Sequence, residues 1–382
     1  MSDPHVDLII VGGGCAGLSL ATRLSDGASS LRVLLLEARR EYVNDRTWCM
    51  WSSHALEQAA LATHTWHSWS FETGSQSVVQ SGNGLDYICI PSDRFYESAL
   101  QRVDASANVQ LRRGIAVNSI QSHNDKVQVD CGTQVFTADY VVDTRPPQPS
   151  RTLGMTQQFL GREIVADRAC FDPQVVGLMT DMSVDDLGLR FTYVLPFSER
   201  HALVEETRFA TSRVPIDRLE SGLEHSLFRL TQGGQFTTVR DEMGAIPMGF
   251  EPVRDASYER IINAGTAGGA VRASSGYAFA RIQRWADECV EAIRTHGQPI
   301  GHARDPLWLR SADALFLRVL RVQPELAPRI FMAMGRYLSA TTLVRFLSDD
   351  ARPTDFVQVA SVLPKRPFLR ELALTIGERV KP

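Results

Sequence analysis

Two clusters in this 382-residue chain have the residue types and spacing to do chemistry. The first is Gly12-Gly13-Gly14-Cys15-Ala16-Gly17, a GxGxxG run near the N-terminus. Gly12 permits a tight turn, Gly14 lets the backbone approach a pyrophosphate, and Gly17 lets the following helix lie close to the strand before it. The helix N-terminus adds free N–H groups and a partial positive charge for the phosphates. Glu37 stands 20 residues beyond Gly17, where a carboxylate can accept ribose hydroxyls and would repel a 2′-phosphate. The second cluster is the adjacent pair Glu205-Glu206. A carboxyl kept neutral by an apolar pocket is a strong proton donor, so such a pair can act as an acid.

The glycine run carries this meaning only between a strand and a helix. Val6–Val11 is an unbroken apolar run, as in a strand buried on both faces. Leu18–Leu24 follows at helical spacing, and Leu31–Leu36 is a second buried strand ending at Glu37. Together they make a βαβ unit. FAD and NAD share this fingerprint. A single copy at the start of a chain this long points to FAD, with distant segments completing the sheet. Val141-Val142-Asp143 is placed to return a strand beside the first. Ala264-Gly265 and Gly268-Gly269, after Ile261–Asn263, are placed to return a second glycine loop under a flavin.

Between these segments, Asp86–Ile90 reads as a strand, and residues 91–103 read as a helix capped by Ser92. The run Arg145-Pro146-Pro147-Gln148-Pro149 is the strongest breaker and marks a boundary. Leu189–Leu195 and His201–Phe209 read as an antiparallel hairpin, and Leu219–Leu230 as a helix. A further helix is expected over about 276–295. Beyond residue 307 helical periodicity is interrupted by prolines. On the His201–Phe209 strand neighbours alternate in direction, so Glu205 shares a face with Leu203 and Thr207, and Glu206 with Val204 and Arg208. Only one glutamate can then face a cavity, and Arg208 is placed to hold Glu206 ionised. A solvated edge strand with two surface carboxylates would read the same way.

Composition narrows the class of partner. Hydrophobic residues at 44% and charged residues at 22% are those of a soluble globular protein. A net charge of −4 leaves no electrostatic footprint for nucleic acid. Six scattered cysteines without CxxC spacing indicate reduced thiols and no metal site. The N-terminus has no basic region ahead of its short apolar run, which reads as a strand and not as a signal peptide. No apolar run reaches the length of about 18 residues that a membrane span needs.

At this point the chain resembles one family. Asn44-Asp45-Arg46-Thr47-Trp48, Phe159-Leu160-Gly161-Arg162-Glu163, Val204-Glu205-Glu206-Thr207, Gly244-Ala245-Ile246-Pro247 and the segment from Gly268 to Ser274-Ser275-Gly276-Tyr277 are similar, in order, to segments of the bacterial lycopene cyclases. The resemblance runs from residue 6 to about 285 and more loosely to Phe368. Thr144 stands where many relatives have Gly, and Arg272-Ala273 where several have His-Pro, a departure that bears on the shape of the substrate cavity.

The resemblance implies an α/β protein with a Rossmann-type FAD-binding fold, an inserted antiparallel β-sheet substrate domain and a helical C-terminal region. The expected division is 1–150 and 251–300 for the FAD-binding domain, 151–250 for the substrate domain, and 301–382 for the helices. It implies acid-catalysed cyclisation of the linear ends of lycopene to β-ionone rings, a net isomerisation that requires reduced FAD and NAD(P)H as reductant. Glu205 is the essential acid by this resemblance, with Glu206 beside it; Trp48 and Tyr277 are candidates to lie against the polyene, and Trp48 would read the same way as a core residue. The substrate implies a cytoplasmic protein in peripheral contact with the inner face of a membrane, for which Phe346, Phe356, Lys365, Arg366, Phe368 and Arg370 offer an aromatic and basic surface; an ordinary helical cover over the active site would read the same way. A related cyclase of another polyene shares every one of these features. A flavin monooxygenase shares the fold but usually carries Gly-Asp in the late glycine loop, where this chain has Ala264-Gly265-Thr266-Ala267. A non-catalytic flavin-binding scaffold would leave Glu205 and Glu206 idle.

Overall fold

The computed structural model describes residues 6–26, 31–52, 57–123, 125–147, 154–250, 259–348 and 350–380, with backbone alone for the last four. The second half of the 145–149 breaker, and the boundaries expected at 150/151 and 250/251, lie at or within segments outside these residues. The VDLIIV strand Val6–Val11 is central to a seven-stranded sheet. Val33–Glu37 and Val109–Arg113 lie parallel on one side of it, and Val135–Asp143 lies parallel on the other. The return strand Ile261–Asn263 pairs parallel with the end of Val135–Asp143, as expected for a chain that leaves this sheet and comes back. Lys126–Asp130 and Ser119–His123 complete the sheet as antiparallel strands.

Alternation along the first strand explains why it is apolar throughout. Leu8 and Ile10 pack with the helices Cys15–Ser25 and Phe279–His296 through Leu18, Ala21, Ile282 and Trp285. Ile9 and Val11 pack with Val127, Val129 and Phe136. With both faces covered, no polar residue is tolerated between Leu8 and Val11.

A second seven-stranded sheet runs in the order Phe236–Met248, Met155–Ala166, His201–Ala210, Gly188–Pro196, Val175–Asp185, Ser68–Thr73, Gln76–Ser81. The hairpin expected at 189–209 is present, with Leu189 opposite Phe209 and Leu195 opposite Leu203. The sheet is not confined to 151–250, however. Ser68–Thr73 and Gln76–Ser81 join it from within the first segment, the former parallel to Val175–Asp185. A purely antiparallel inserted domain is therefore corrected to a mixed sheet that both halves of the chain build. Non-local pairing of this kind has no local signal in the sequence. A small third sheet, Thr47–Ser52, Asp86–Pro91 and His64–Trp66, places Trp48 and Trp51 between the two large ones.

The second sheet is buried on both faces against different partners. Ala202 and Val204 pack with Leu223 and Leu227 of the helix Ile216–Thr231. Leu203 and Phe209 face the other way, into a cluster with Phe191, Phe316 and Phe331. The solvated edge strand is thereby excluded: every residue from Ala202 to Ala210 is buried.

Among the described residues, five α-helices form the C-terminal region: Leu307–Val322, Ala327–Tyr337, Ala340–Leu347, Pro353–Val362 and Lys365–Val380. Prolines 306, 328 and 353 sit at or next to helix starts, where the missing N–H costs nothing. Ser339 caps a further start by accepting the Thr342 N–H at 3.1 Å. Ser92 does not cap its helix. It is the first helical residue, and its hydroxyl accepts the N–H groups of Asp45 and Arg46 instead. Phe346 is buried, Phe356 and Phe368 pack against the same interior, and their rings meet those of Phe316 and one another. The aromatic part of the expected interfacial surface is thus interior, drawn in because it completes the helical core.

One buried ion pair ties this region to the rest. Arg272, 1% exposed, donates through Nε and Nη2 to the Asp313 carboxylate at 3.0 and 3.2 Å and through Nη1 to the Ser348 carbonyl at 2.8 Å. The Arg-Ala departure from His-Pro is absorbed here, and Arg272 does not border the large cavity between the sheets and the helices. Removing one partner strands the other without solvent. Asp313→Ala is therefore expected to cost about 3–5 kcal/mol, read as a lowered urea midpoint, and a change under about 1 kcal/mol would show that the pair is not structural.

Candidate active site

One cavity of about 1340 Å³ is lined by the first sheet, the second sheet and the C-terminal helices together. It exceeds the roughly 300–1,000 Å³ of an ordinary small-molecule site, so it has room for two ligands.

Its polar end is the glycine loop. Gly12 has φ +96°, a conformation that favours glycine, and a Cβ there would lie 2.8 Å from the Thr144 hydroxyl. That hydroxyl donates to the Val11 and Gly12 carbonyls at 2.9 Å, so the Thr in place of Gly buttresses the loop from behind. A Cβ on Gly17 would fall 1.9 Å from the Gly12 carbonyl oxygen, whereas Gly14 is open on its free side. Gly12, Gly14 and Glu37 border the cavity. Glu37 accepts the Gly13 N–H at 2.6 Å and the Arg39 N–H at 2.7 Å, which holds the loop in shape.

The return loop closes over the same end. Gly265 borders the cavity and donates its N–H to His302 Nε2 at 3.0 Å. Gly268 and Gly269 do not border it. They permit the turn: a Cβ on Gly268 would meet Ala264 at 2.4 Å, and Gly269 has φ +93°. Asp143 also stays outside, engaged by Arg145 at 2.7–3.2 Å, while Arg145 itself lines the cavity. Ser274 and Ser275 line the cavity, and their hydroxyls are buried with no hydrogen-bond partner among the described residues. Buried orphan donors of this kind are costly unless a ligand satisfies them. With the open glycine loop they fit a polar ligand such as FAD along this wall.

Beyond the glycine loops the walls become aromatic and apolar. Trp48 borders the cavity and packs against Phe95, Tyr96 and Phe279. Tyr277 also borders it; the Tyr87 hydroxyl lies 3.1 Å from that of Tyr277 and 2.9 Å from that of Tyr193. Glu205 is 7% exposed and faces this space. Burial, followed by the charge of Glu242, holds its carboxyl well above the ordinary value, which favours the neutral form of the acid.

Glu206 points the other way and does not border the cavity. It is 0% exposed and accepts a two-pronged contact from Arg190 at 3.0 and 2.9 Å. The expected partner, Arg208, is only 3.4 Å away through Nε and spends its Nη1 on Asp185. Glu206 as a reacting acid is thus corrected: strand alternation sends it under the helix Ile216–Thr231, where the missing side chain of Gly222 leaves room for its carboxyl.

Three residues that sequence reasoning passed over stand with Glu205. Glu242 and Thr47 line the same part of the cavity, with the Thr47 hydroxyl donating to Glu242 at 2.7 Å. Arg240 binds Glu242, reaches Glu163 at 2.7 Å, and donates to the Thr47 hydroxyl at 2.7 Å. Thr47 lies within the 44–48 segment and Glu242 two residues before the 244–247 segment, so position near recognised motifs was the available signal.

Comparison with known proteins follows this geometry. A sequence family described as lycopene cyclase protein matches residues 7–373. The lycopene beta-cyclase of Pantoea ananas is 26% identical over 389 residues, covering 97% of each chain. That of a Paracoccus species is 28% identical over 252 residues, covering 63% of this chain and 61% of its own. Among solved structures, a geranylgeranyl bacteriochlorophyll reductase-like protein from Thermoplasma acidophilum superimposes with a TM-score of 0.64 at 14% identity, over 97% of this chain and 98% of its own. The flavin-dependent monooxygenase PieE, solved with FAD and substrate, gives 0.60 at 16% identity over 95% of this chain and 72% of its own. The chain therefore has the Rossmann-type FAD-binding fold with a helical C-terminal region.

Burial of Glu205 has a consequence for stability. Its carboxyl titrates above the ordinary 4.5 in the folded chain, so there is a pH range in which the folded chain keeps a proton that the unfolded chain has lost. Stability falls with rising pH across that range. Glu205→Gln removes the dependence: it is expected to gain on wild type as pH rises above 4.5 and to converge with it below. Urea denaturation across pH checks this, and a pH-independent difference would contradict it.

Proposed function

The chain belongs to the lycopene cyclase family, and from that premise we propose that it cyclises the linear ends of lycopene to β-ionone rings with FAD bound along the glycine loops. The observation that carries this reading is a buried carboxylic acid, Glu205, facing an aromatic-walled cavity that begins at a dinucleotide loop.

An isolated alkene is a weak base, so protonating it needs an acid kept from water. In the proposed sequence the Glu205 proton passes to a terminal double bond, whose π electrons form the new C–H bond. The resulting cation is attacked by the neighbouring alkene, which closes the ring. A proton then leaves the carbon beside the new cation and returns to the Glu205 carboxylate. Atoms balance, and the reaction is an isomerisation. The faces of Trp48 and Tyr277 can stabilise the cation and orient the polyene. Glu206 takes no proton; its pairing with Arg190 fixes the strand that presents Glu205.

Gly12, Gly14 and Gly265 would hold FAD, with Glu37 shaping the pyrophosphate loop and Ser274 and Ser275 offering hydroxyls. Gly17, Gly268, Gly269 and Asp143 would act indirectly by setting the turns. Reduced by NAD(P)H, the bound flavin would supply negative charge close to the developing cation. The structural likeness to flavoproteins supports the cofactor through the fold, and the family membership supports the reaction.

A hydrocarbon of this length resides in a membrane. No helix among the described residues is long and apolar enough to cross one. The last helix instead exposes Leu369, Leu372, Leu374 and Ile376 together with Lys365, Arg366 and Arg370. We propose that this helix meets the cytoplasmic face of the membrane as a peripheral contact.

Expression in a bacterial host that accumulates lycopene tests the reaction. Wild type is expected to convert lycopene to a cyclic carotene, and Glu205→Ala to leave it unconverted. Unchanged lycopene from soluble, FAD-bearing wild type would overturn the assignment. Gly17→Ala, which cannot fit beside the Gly12 carbonyl, is expected to purify without flavin absorbance, and full FAD content in that variant would contradict the placement of the cofactor.

A further inference from the structure

We propose that Glu205 and Glu242 form a single acid, a carboxyl–carboxylate pair that meets across Gly161 and shares one proton, with Glu242 as the anchored anion. This rests on the reading of Glu205 as the acid and assigns Glu242 and Gly161, neither of which that reading uses.

Gly161 lies opposite Glu205 on one side and opposite Glu242 on the other. Residues paired across strands share a face, so all three positions point into the cavity. Two strand spacings separate the glutamate backbones, about 9–10 Å. Their side chains can approach each other only by leaning over the residue between them, and that residue has no side chain. A Cβ on Gly161 would lie 2.8 Å from Glu205 Cγ and 3.3 Å from Glu242 Cγ. Glycine weakens a strand interior and marks a close approach, and here the approach is of two acids.

The two glutamates have unequal partners. Arg240 and the Thr47 hydroxyl both bind Glu242, and Arg240 also binds Glu163, which in turn holds His201 at 2.7 Å. No cation is committed to Glu205 among the described residues. The other groups facing it are Cys49 and Tyr193, whose burial raises both and keeps them uncharged. The charged set on this wall is therefore Glu242, Arg240 and Glu163, with His201 behind them. In that setting the proton resides on Glu205, and Glu242 faces it as the fixed anion. After Glu205 gives up its proton, two like charges face each other, which favours rapid return of a proton to the pair. The same two charges lie beside the substrate cation while it exists.

The test is infrared titration of the full-length purified protein, following the protonated-carboxyl stretch with pH, alongside the pH dependence of lycopene conversion. In wild type the band is expected to persist above the ordinary carboxyl range and to disappear in Glu205→Gln. Glu242→Gln keeps a hydrogen-bonding side chain but removes the charge, so the band and the loss of cyclisation should both move to lower pH. Gly161→Ala keeps both acids and wedges them apart. The band should again move down, and conversion should fall about a hundredfold from misplacement of the acid. A band that stays in place in both Glu242→Gln and Gly161→Ala would overturn the pair, as would a band that survives in Glu205→Gln. The infrared arm needs no lycopene, so failure of the cyclase reading is seen separately: the variants would then show the band shifts while wild type converts no pigment.

Discussion

Removing a carboxyl group from water disfavours its charged form, and in this protein the site is organised around one such group. Glu205 occupies a strand buried on both faces, and no arginine among the described residues is dedicated to it. The groups facing it include the Cys49 thiol, the Tyr193 phenol and the Glu242 carboxylate. An acid of that kind is unfavourable for folding at neutral pH. The surrounding architecture makes it tolerable: the second sheet and the C-terminal helices wall the space it faces, and strong ion pairs nearby carry the charge that Glu205 does not.

Segregation of charge across a single strand is central to this arrangement. Adjacent glutamates would repel if both were anions on one face. Alternation puts Glu206 under the helix Ile216–Thr231, where Arg190 neutralises it, and leaves Glu205 in the cavity. Two glycines make room for two acids on the two faces of the sheet, Gly222 for Glu206 and Gly161 for Glu205. The first sheet contributes the other half of the site by bringing the two glycine loops to the same wall of the cavity, so that a cofactor held there lies along the space that Glu205 faces.

Much of this was legible in the residues. The glycine run, its flanking strand and helix, and Glu37 depend on local geometry, and local geometry repeats wherever the spacing does. Opposite faces for Glu205 and Glu206 followed from the two-residue period of a strand. The identity of Glu206's partner did not, because Arg190 approaches from a neighbouring strand while Arg208 lies two residues away in sequence. Glu242 and Gly161 were hidden for the same reason: their relation to Glu205 is one of register between three strands. The strands at 68–81 were equally hidden, since pairing parallel to Val175–Asp185 across a long stretch of chain leaves no periodic mark. For Phe346 and Phe368 the residues left two readings open, because an aromatic and basic stretch looks alike whether the rings face lipid or a helical core, and the structure decides for the core.

The central claim is that a carboxylic acid of the protein delivers a proton to the alkene. A single turnover of enzyme equilibrated in D2O, with the extracted carotene examined by mass spectrometry, addresses it directly. Proton delivery from an exchangeable acid predicts one carbon-bound deuterium for each ring formed. A cyclic product without deuterium would mean that the new C–H bond takes its hydrogen from the substrate itself, and Glu205 would then not be the proton donor.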